Sequence, residues 1–248
     1  MRLANKTAII TGAAGGFGEG MAKRFAEEGA SVVIADLKGD EAERVAQEIG
    51  ASAVAIEVDV TRSQDNAAMV EAAKSNFGGV DIFVFNAGYT YPNRPMLDVD
   101  EASFDRVCDV NMKALFHASK HVVPAMRERG GGTILATAST AGLRPRPGLV
   151  WYNASKAWVI NACKCMAVEL APDNIRVNSL CPVAGETGML ADFMGQDTPE
   201  RREQFKSVIP LGRFSQPRDM ANAALYLVSD EADFITGIAM EVDGGRCV

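Results

Sequence analysis

The sequence predicts an α/β fold, a single doubly wound domain around a seven-stranded parallel sheet, and three observations carry that prediction. Short Val- and Ile-rich runs alternate with helical patterns along all 248 residues, and strands alternating with helices join by right-handed crossovers into a parallel sheet. The runs are continuously apolar rather than alternating, which is the pattern of strands buried on both faces. No repeat, low-complexity tract or Pro/Gly linker divides the chain, so one domain over residues 1–248 is expected, long enough to bury a sizeable core without staples.

Taken in order, the first strand is TAIIT (Thr7–Thr11), and a helix, Gly18–Glu28, follows it after a glycine-rich turn. SVVIA (Ser31–Ala35) leads to a helix over Asp40–Ile49, and AVAIEV (Ala53–Val58) to one over Ser63–Asn76. DIFVF (Asp81–Phe85) precedes one long helical pattern, Glu101–Arg129, and TILATA (Thr133–Ala138) precedes Tyr152–Leu170. IRVNSL (Ile175–Leu180) is the sixth strand; after a helix over Pro217–Val228, IAMEV (Ile238–Val242) is the seventh. Between them, residues of about 185–213 break the alternation with two prolines and short helical pieces, as a lid or substrate loop would.

With 25 Lys plus Arg against 32 Asp plus Glu, the net charge of −7 offers no general attraction to phosphate backbones or anionic membranes. No stretch reaches the roughly 18–20 apolar residues of a membrane span, and the short apolar run near Met1 opens into glycines rather than a signal-peptide core. The five cysteines (Cys108, Cys163, Cys165, Cys181, Cys247) are odd in number and lack a CxxC, which suits a reducing compartment and argues against structural zinc. The expectation is a cytoplasmic protein that binds neither nucleic acid nor membrane.

The 23 glycines are the compositional excess, and their placement is informative. Thr11-Gly-Ala-Ala-Gly-Gly-Phe-Gly18 joins the first strand to the first helix. Glycines at 12, 16 and 18 let the backbone turn sharply, approach a pyrophosphate and set it at the positive end of a helix dipole, as in a Rossmann fold. The spacing is GxxxGxG rather than GxGxxG. Asp36 closes the second strand, where a carboxylate accepts hydrogen bonds from adenosine ribose hydroxyls and repels a 2′-phosphate, favouring NAD over NADP.

Tyr152-Asn-Ala-Ser-Lys156 opens a helix with its phenol and ammonium on one face. A nearby cation stabilises a phenolate, which is how a tyrosine with an ordinary pKa near 10 serves as a general acid or base. Ser139, at the end of the fifth strand, is placed to hydrogen-bond a substrate oxygen.

On these residues the chain resembles the classical short-chain dehydrogenase/reductase family over nearly its whole length. Thr11–Gly18 is similar to the family's TGxxxGxG, Asp59-Val60 to its adenine-contacting pair, and Asn86-Ala87-Gly88 to most of its NNAG, with Phe85 where the first Asn is usual. Asn111, Ser139, Tyr152 and Lys156 match its catalytic tetrad, in which the asparagine holds a water in a proton relay ending at the lysine. PVAGET (Pro182–Thr187) stands against PGxxxT, so Val183 replaces a glycine while Thr187 is kept for the nicotinamide carboxamide, and Val242-Asp243-Gly244-Gly245 is also typical. The resemblance implies a homotetramer or homodimer, paired through the helix after Asn111 and the Tyr152 helix. It implies NAD contacts from Gly12, Gly16, Phe17, Gly18, Asp36, Asp59, Val60, Asn86, Ala87, Gly88, Tyr152, Lys156, Pro182 and Thr187. The activity implied is reversible hydride transfer between an alcohol carbon and nicotinamide, with Tyr152 as acid/base. A 3-oxoacyl-carrier-protein reductase using NADPH is the nearest enzymatic alternative, which Asp36 opposes. A catalytically silent nucleotide sensor is the alternative of another class, which the intact tetrad opposes.

Arg94, Arg144, Arg146 and Trp151 are the expected substrate contacts, because a guanidinium in a pocket grips a carboxylate or sulfonate with paired hydrogen bonds. Gly148–Tyr152, Gly185-Glu186-Thr187 and Ala191–Met194 are similar to stretches of family members that act on anionic aromatic compounds. The substrate expected is therefore a small alcohol, anionic or aromatic. His117 and His121, four apart on one helix, have a metal-binding spacing, but no HExxH accompanies them and a packing or interface role is expected, with no metal.

Overall fold

The computed structural model describes residues 1–248. Seven strands, β1 (Thr7–Thr11), β2 (Ser31–Asp36), β3 (Ala53–Glu57), β4 (Ile82–Phe85), β5 (Gly132–Thr137), β6 (Ile175–Pro182) and β7 (Ala239–Val242), form one sheet in the order β3-β2-β1-β4-β5-β6-β7. Every neighbouring pair is parallel. Alternate residues of one strand serve opposite cores, which is why the strands read as unbroken apolar runs. Ile9, Val33, Phe83 and Ile134 pack beneath α3 (Ser63–Phe77), α5 (Ala114–Glu128) and α6 (Val150–Leu170). Ala8, Ile10, Ile34, Val84 and Leu135 pack beneath α1 (Gly16–Glu27), α2 (Gly39–Ile49) and α9 (Pro217–Val228). From β1 the chain winds outward through β2 and β3, then returns to place β4 on the other side of β1. Helices leave the sheet in opposite senses there, opening a crevice at the carboxyl ends of β1 and β4.

One element differs from expectation. The long helical pattern is not one regular helix: α4 (Glu101–Cys108) passes through a π-helical turn at Asp109–Lys113 before α5. Apolar periodicity does not register one wide turn inside a continuous helix, and such turns gather at functional sites. The 185–213 region contains two short helices, α7 (Leu190–Met194) and α8 (Pro199–Lys206). They close over a small apolar cluster of Val183, Leu190, Met194, Ile209 and Phe214. The Val183 side chain is thus used to seat this segment. Phe85, the other departure from the family pattern, is buried in the core. No helix is long and apolar enough to cross a membrane.

Candidate active site

The crevice is a cleft of about 850 Å³, and the loops after β1, β2, β4, β5 and β6 supply its walls. At one end, Gly12, Gly16 and Phe17 line it where α1 begins. Gly12 has φ +63°, and a Cβ there would lie 2.9 Å from Ala87 Cα, so a side chain would both strain the turn and push into the strand β4 exit. Gly18 does not line the cleft; it lies behind the turn, where a Cβ would strike the carbonyl of Gly12. Asp36, at the tip of β2, is fixed by backbone donors: Ala14 N donates to Oδ2 and Lys38 N to Oδ1, each at 3.0 Å. It lines the cleft beside Lys38 and Glu41.

Thr11 and Asn86 lock the floor. Thr11 Oγ1 accepts from Asn86 N at 3.0 Å and Ala87 N at 3.1 Å. Asn86 Nδ2 donates to the carbonyls of Thr11 and Gly12, and its Oδ1 accepts from Thr137 Oγ1 at 3.1 Å. The ends of β1, β4 and β5 are thereby bonded through the side chains of Thr11, Asn86 and Thr137. The Asn86 amide is consumed in doing so, and the role of Thr11 in joining the strands has no mark in the sequence beyond its place at the head of the glycine motif.

Tyr152 and Lys156 project from the first turns of α6 into the middle of the cleft, and Ser139 meets them from the end of β5. Lys156 Nζ donates to the Thr137 carbonyl at 2.8 Å and lies 5.8 Å from the centre of the Tyr152 ring. No carboxylate accompanies it, and burial pushes its pKa down to about 8. Burial also pushes the Tyr152 phenol upward, a shift the Ser139 hydroxyl opposes. Ser139 Oγ in turn accepts from Ala141 N at 3.0 Å, which fixes its direction. Asn111 sits on the π-helical turn, wholly buried behind the cleft. Its Oδ1 accepts from Tyr89 N at 2.8 Å, and its Nδ2 donates to Tyr89 O at 2.9 Å and to Ser155 Oγ at 3.0 Å. Ser155 Oγ donates to Tyr152 O at 2.7 Å, so Asn111 ties the loop after β4 to the turn that carries the phenol.

Ala87, Gly88, Pro182 and Thr187 also line the cleft. Other sequence-selected residues face elsewhere. Asp59 accepts from Thr61 N and Oγ1, and Val60 is buried in the core; neither lines the cleft. Arg94 turns to Asp100, 3.9 Å away, and Arg144 to the carbonyls of Arg246 and Val248. Trp151 packs edge-on against Phe104, because neighbouring helical residues point about 100° apart and Tyr152 takes the cleft-facing direction. Of the four expected substrate contacts, only Arg146 lines the cleft. His121 Nε2 is 3.1 Å from Ser63 Oγ, and His117 lies against the Phe116 ring. The substrate end also contains residues the sequence reading missed: Leu149, Phe205, Arg201 and Arg246, with Phe193 packed edge-on against Tyr152 at 5.2 Å. No local signal marks Arg246, which reaches the cleft only because the chain folds back after β7.

Residues 12–246 match the family model described as "Enoyl-(Acyl carrier protein) reductase". Across 250 residues the chain is 46% identical to 4-formylbenzenesulfonate dehydrogenase of Comamonas testosteroni, covering 99% of each. A solved 3-ketoacyl-(acyl-carrier-protein) reductase from Brucella melitensis, complexed with NADH, superposes with a TM-score of 0.94 at 47% identity, over 99% of this chain and 100% of that one. A 7α-hydroxysteroid dehydrogenase complexed with NADH and 7-oxo glycochenodeoxycholic acid superposes with a TM-score of 0.92 at 39% identity, over 98% of this chain and 95% of that one. Full-length identity at this level, joined to a parallel seven-stranded sheet whose switch-point cleft carries Ser139, Tyr152 and Lys156, means that the chain belongs to the short-chain dehydrogenase/reductase family.

Proposed function

We propose that the protein is an NAD-dependent oxidoreductase that interconverts a small alcohol and its carbonyl product. The observation that carries this reading is the convergence of Ser139, Tyr152 and Lys156 in the same cleft as the glycine turn and Asp36. The glycine turn fits a dinucleotide, since Gly12, Gly16 and Phe17 line the cleft where α1 begins, and the free N–H groups and positive dipole of a helix start favour a pyrophosphate. Gly12, Gly16 and Phe17 would border the pyrophosphate, Asp36 the adenosine ribose, and Pro182 and Thr187 the nicotinamide. When bound, the nicotinamide supplies or takes up the hydride. Tyr152 exchanges a proton with the substrate oxygen, Ser139 holds that oxygen, and Lys156 stabilises the phenolate. Asn111 supports the proton path from behind Tyr152.

NAD is favoured over NADP because a 2′-phosphate beside Asp36 would meet a carboxylate, and the nearby Arg44 is already paired with Glu19, Glu41 and Glu48. The relative named for 4-formylbenzenesulfonate supports an aromatic alcohol or aldehyde, as do the walls formed by Leu149, Phe193 and Phe205. Reduction of 3-oxoacyl groups is the second reading, favoured by the name of the Brucella structure. The protein is further proposed to act in the cytoplasm as a homotetramer or homodimer.

The test is NAD-linked oxidation of an alcohol panel alongside NADH- and NADPH-linked reduction of aromatic aldehydes and acetoacetyl thioesters. Turnover of benzylic alcohols with NAD is expected; preference for acetoacetyl thioester with NADPH would establish the second reading instead. Tyr152→Phe is expected to lose about 1,000-fold or more in kcat while binding NAD as before, and a variant with wild-type turnover removes Tyr152 from the mechanism.

A further inference from the structure

The substrate side of the cleft contains three guanidinium groups without a carboxylate partner: Arg201, whose Nη1 donates to Gln204 Oε1 at 2.9 Å, and the pair Arg146 and Arg246. Arg146 enters from the loop before α6 and Arg246 from the segment after β7, and both line the cleft. Arg44, Arg202 and Arg213, by contrast, face acids within hydrogen-bonding range. Arg146 instead stacks on the Phe205 ring, 4.7 Å from its centre. Burial, and then the charge of Arg246, push its pKa down to about 10. The Cys247 thiol beside them is no counterion near pH 7, because burial and its bond to Asp243 push it up to about 11. Arg246 Nε is buried without a hydrogen-bond partner. Two like charges beside apolar walls, one with an unused buried donor, repel each other at a cost that a bound anion would remove.

The segment holding Arg246 is built rather than loose. Asp243 accepts from Gly245 N and Cys247 N, both at 2.8 Å, so its carboxylate organises the turn instead of pairing with Arg246. Gly244 and Gly245, at φ +63° and +88°, make that turn possible. Arg144 Nη1 donates to the carbonyls of Arg246 at 2.8 Å and Val248 at 3.2 Å. Arg144 therefore fixes the backbone that carries Arg246. Asn153 Nδ2 does the same for Arg146, donating to its carbonyl at 2.7 Å from the residue next to Tyr152.

We propose that Arg146 and Arg246 form a two-armed subsite for a carboxylate or sulfonate at the end of the substrate remote from the reacting carbon, with Arg144 as its positioning residue. The inference rests on reading the cleft as the site of NAD-linked alcohol and carbonyl chemistry. The apolar wall between Tyr152 and the arginines suits an aromatic body joining the two ends of such a substrate.

The test compares NADH-linked reduction of 4-formylbenzoate and 4-formylbenzenesulfonate with that of neutral 4-methylbenzaldehyde. The wild-type protein is expected to favour the anions in kcat/KM by about 30-fold or more, mainly through KM, and Arg146→Ala or Arg246→Ala to bring the ratio close to one. Arg246→Lys is expected to restore part of the preference, and Arg144→Ala to reduce it through KM rather than kcat. Equal turnover of charged and neutral aldehydes, or a preference that survives both alanine variants, would overturn the proposal. Calorimetric titration with unreactive benzenesulfonate in the presence of NAD separates the two layers of the reading. If no aldehyde is reduced but benzenesulfonate binds and Arg246→Ala weakens it about 10-fold or more, the subsite stands and the proposed reaction does not. Absence of benzenesulfonate binding to the wild-type protein counts against the subsite whatever the turnover. Melting temperature and NAD binding of each variant show that the fold is retained.

Discussion

Tyr152 and Lys156 are chemically unusual because both are buried with few charges around them. Lys156 has its only hydrogen bond to the Thr137 carbonyl, and its pKa falls to about 8, while the phenol is held above its ordinary value. Below about pH 8 the pair holds both protons and donates one to a carbonyl oxygen. Above it the pair has lost one proton and accepts another from an alcohol, the ammonium then stabilising the phenolate. Alcohol oxidation is therefore expected to rise, and carbonyl reduction to fall, as pH passes through about 8, measured as kcat in both directions. Oxidation that stays flat from about pH 6 to about 10 would contradict this. Gly88 lies against the same pair: a Cβ there would be in ordinary van der Waals contact with Lys156 Nζ at 3.5 Å and Asn111 Oδ1 at 3.6 Å, between the two polar groups. The family motif marked Gly88 in the sequence; its position between these atoms depends on three separate elements.

The π-helical turn between α4 and α5 brings Asn111 inward without ending the helix. All three hydrogen bonds of its side chain go to Tyr89 and Ser155, so truncation leaves the half-buried backbone groups of Tyr89 without these partners. Asn111→Ala is expected to cost about 2–3 kcal/mol in urea unfolding and to lower kcat more than it raises KM. A loss below about 0.5 kcal/mol would show that the turn does not depend on that side chain. The helical pattern over Glu101–Arg129 was legible because its apolar face is periodic, whereas the extra residue per turn changes no residue type and leaves no mark in that pattern. The 185–213 region shows the complementary case. Its break in periodicity was legible, but its two helices depend on Val183, Ile209 and Phe214 meeting beneath them, a contact among residues far apart in sequence.

At the scale of the whole molecule, Phe116 on α5 and Trp158 and Val168 on α6 leave apolar surface exposed, Val168 to 80%. Apolar side chains on two helices of one layer support the proposed assembly through those helices. Light scattering is expected to give two or four times the 26.4 kDa chain mass, with Phe116→Glu shifting the protein to smaller species. A wild-type mass of one chain overturns the proposal. The sheet, the glycine turn, Asp36 and the Tyr152–Lys156 pair can be read from the chain alone, because each is written in local spacing: apolar runs, a strand-to-helix turn and one helical repeat. Which arginines reach the cleft depends on long-range packing. Arg94 and Arg144 find other partners, while Arg246 enters beside Arg146 from 100 residues further along the chain. A long charged side chain takes its direction from whichever partners the fold places within reach, and those partners are not its neighbours in sequence.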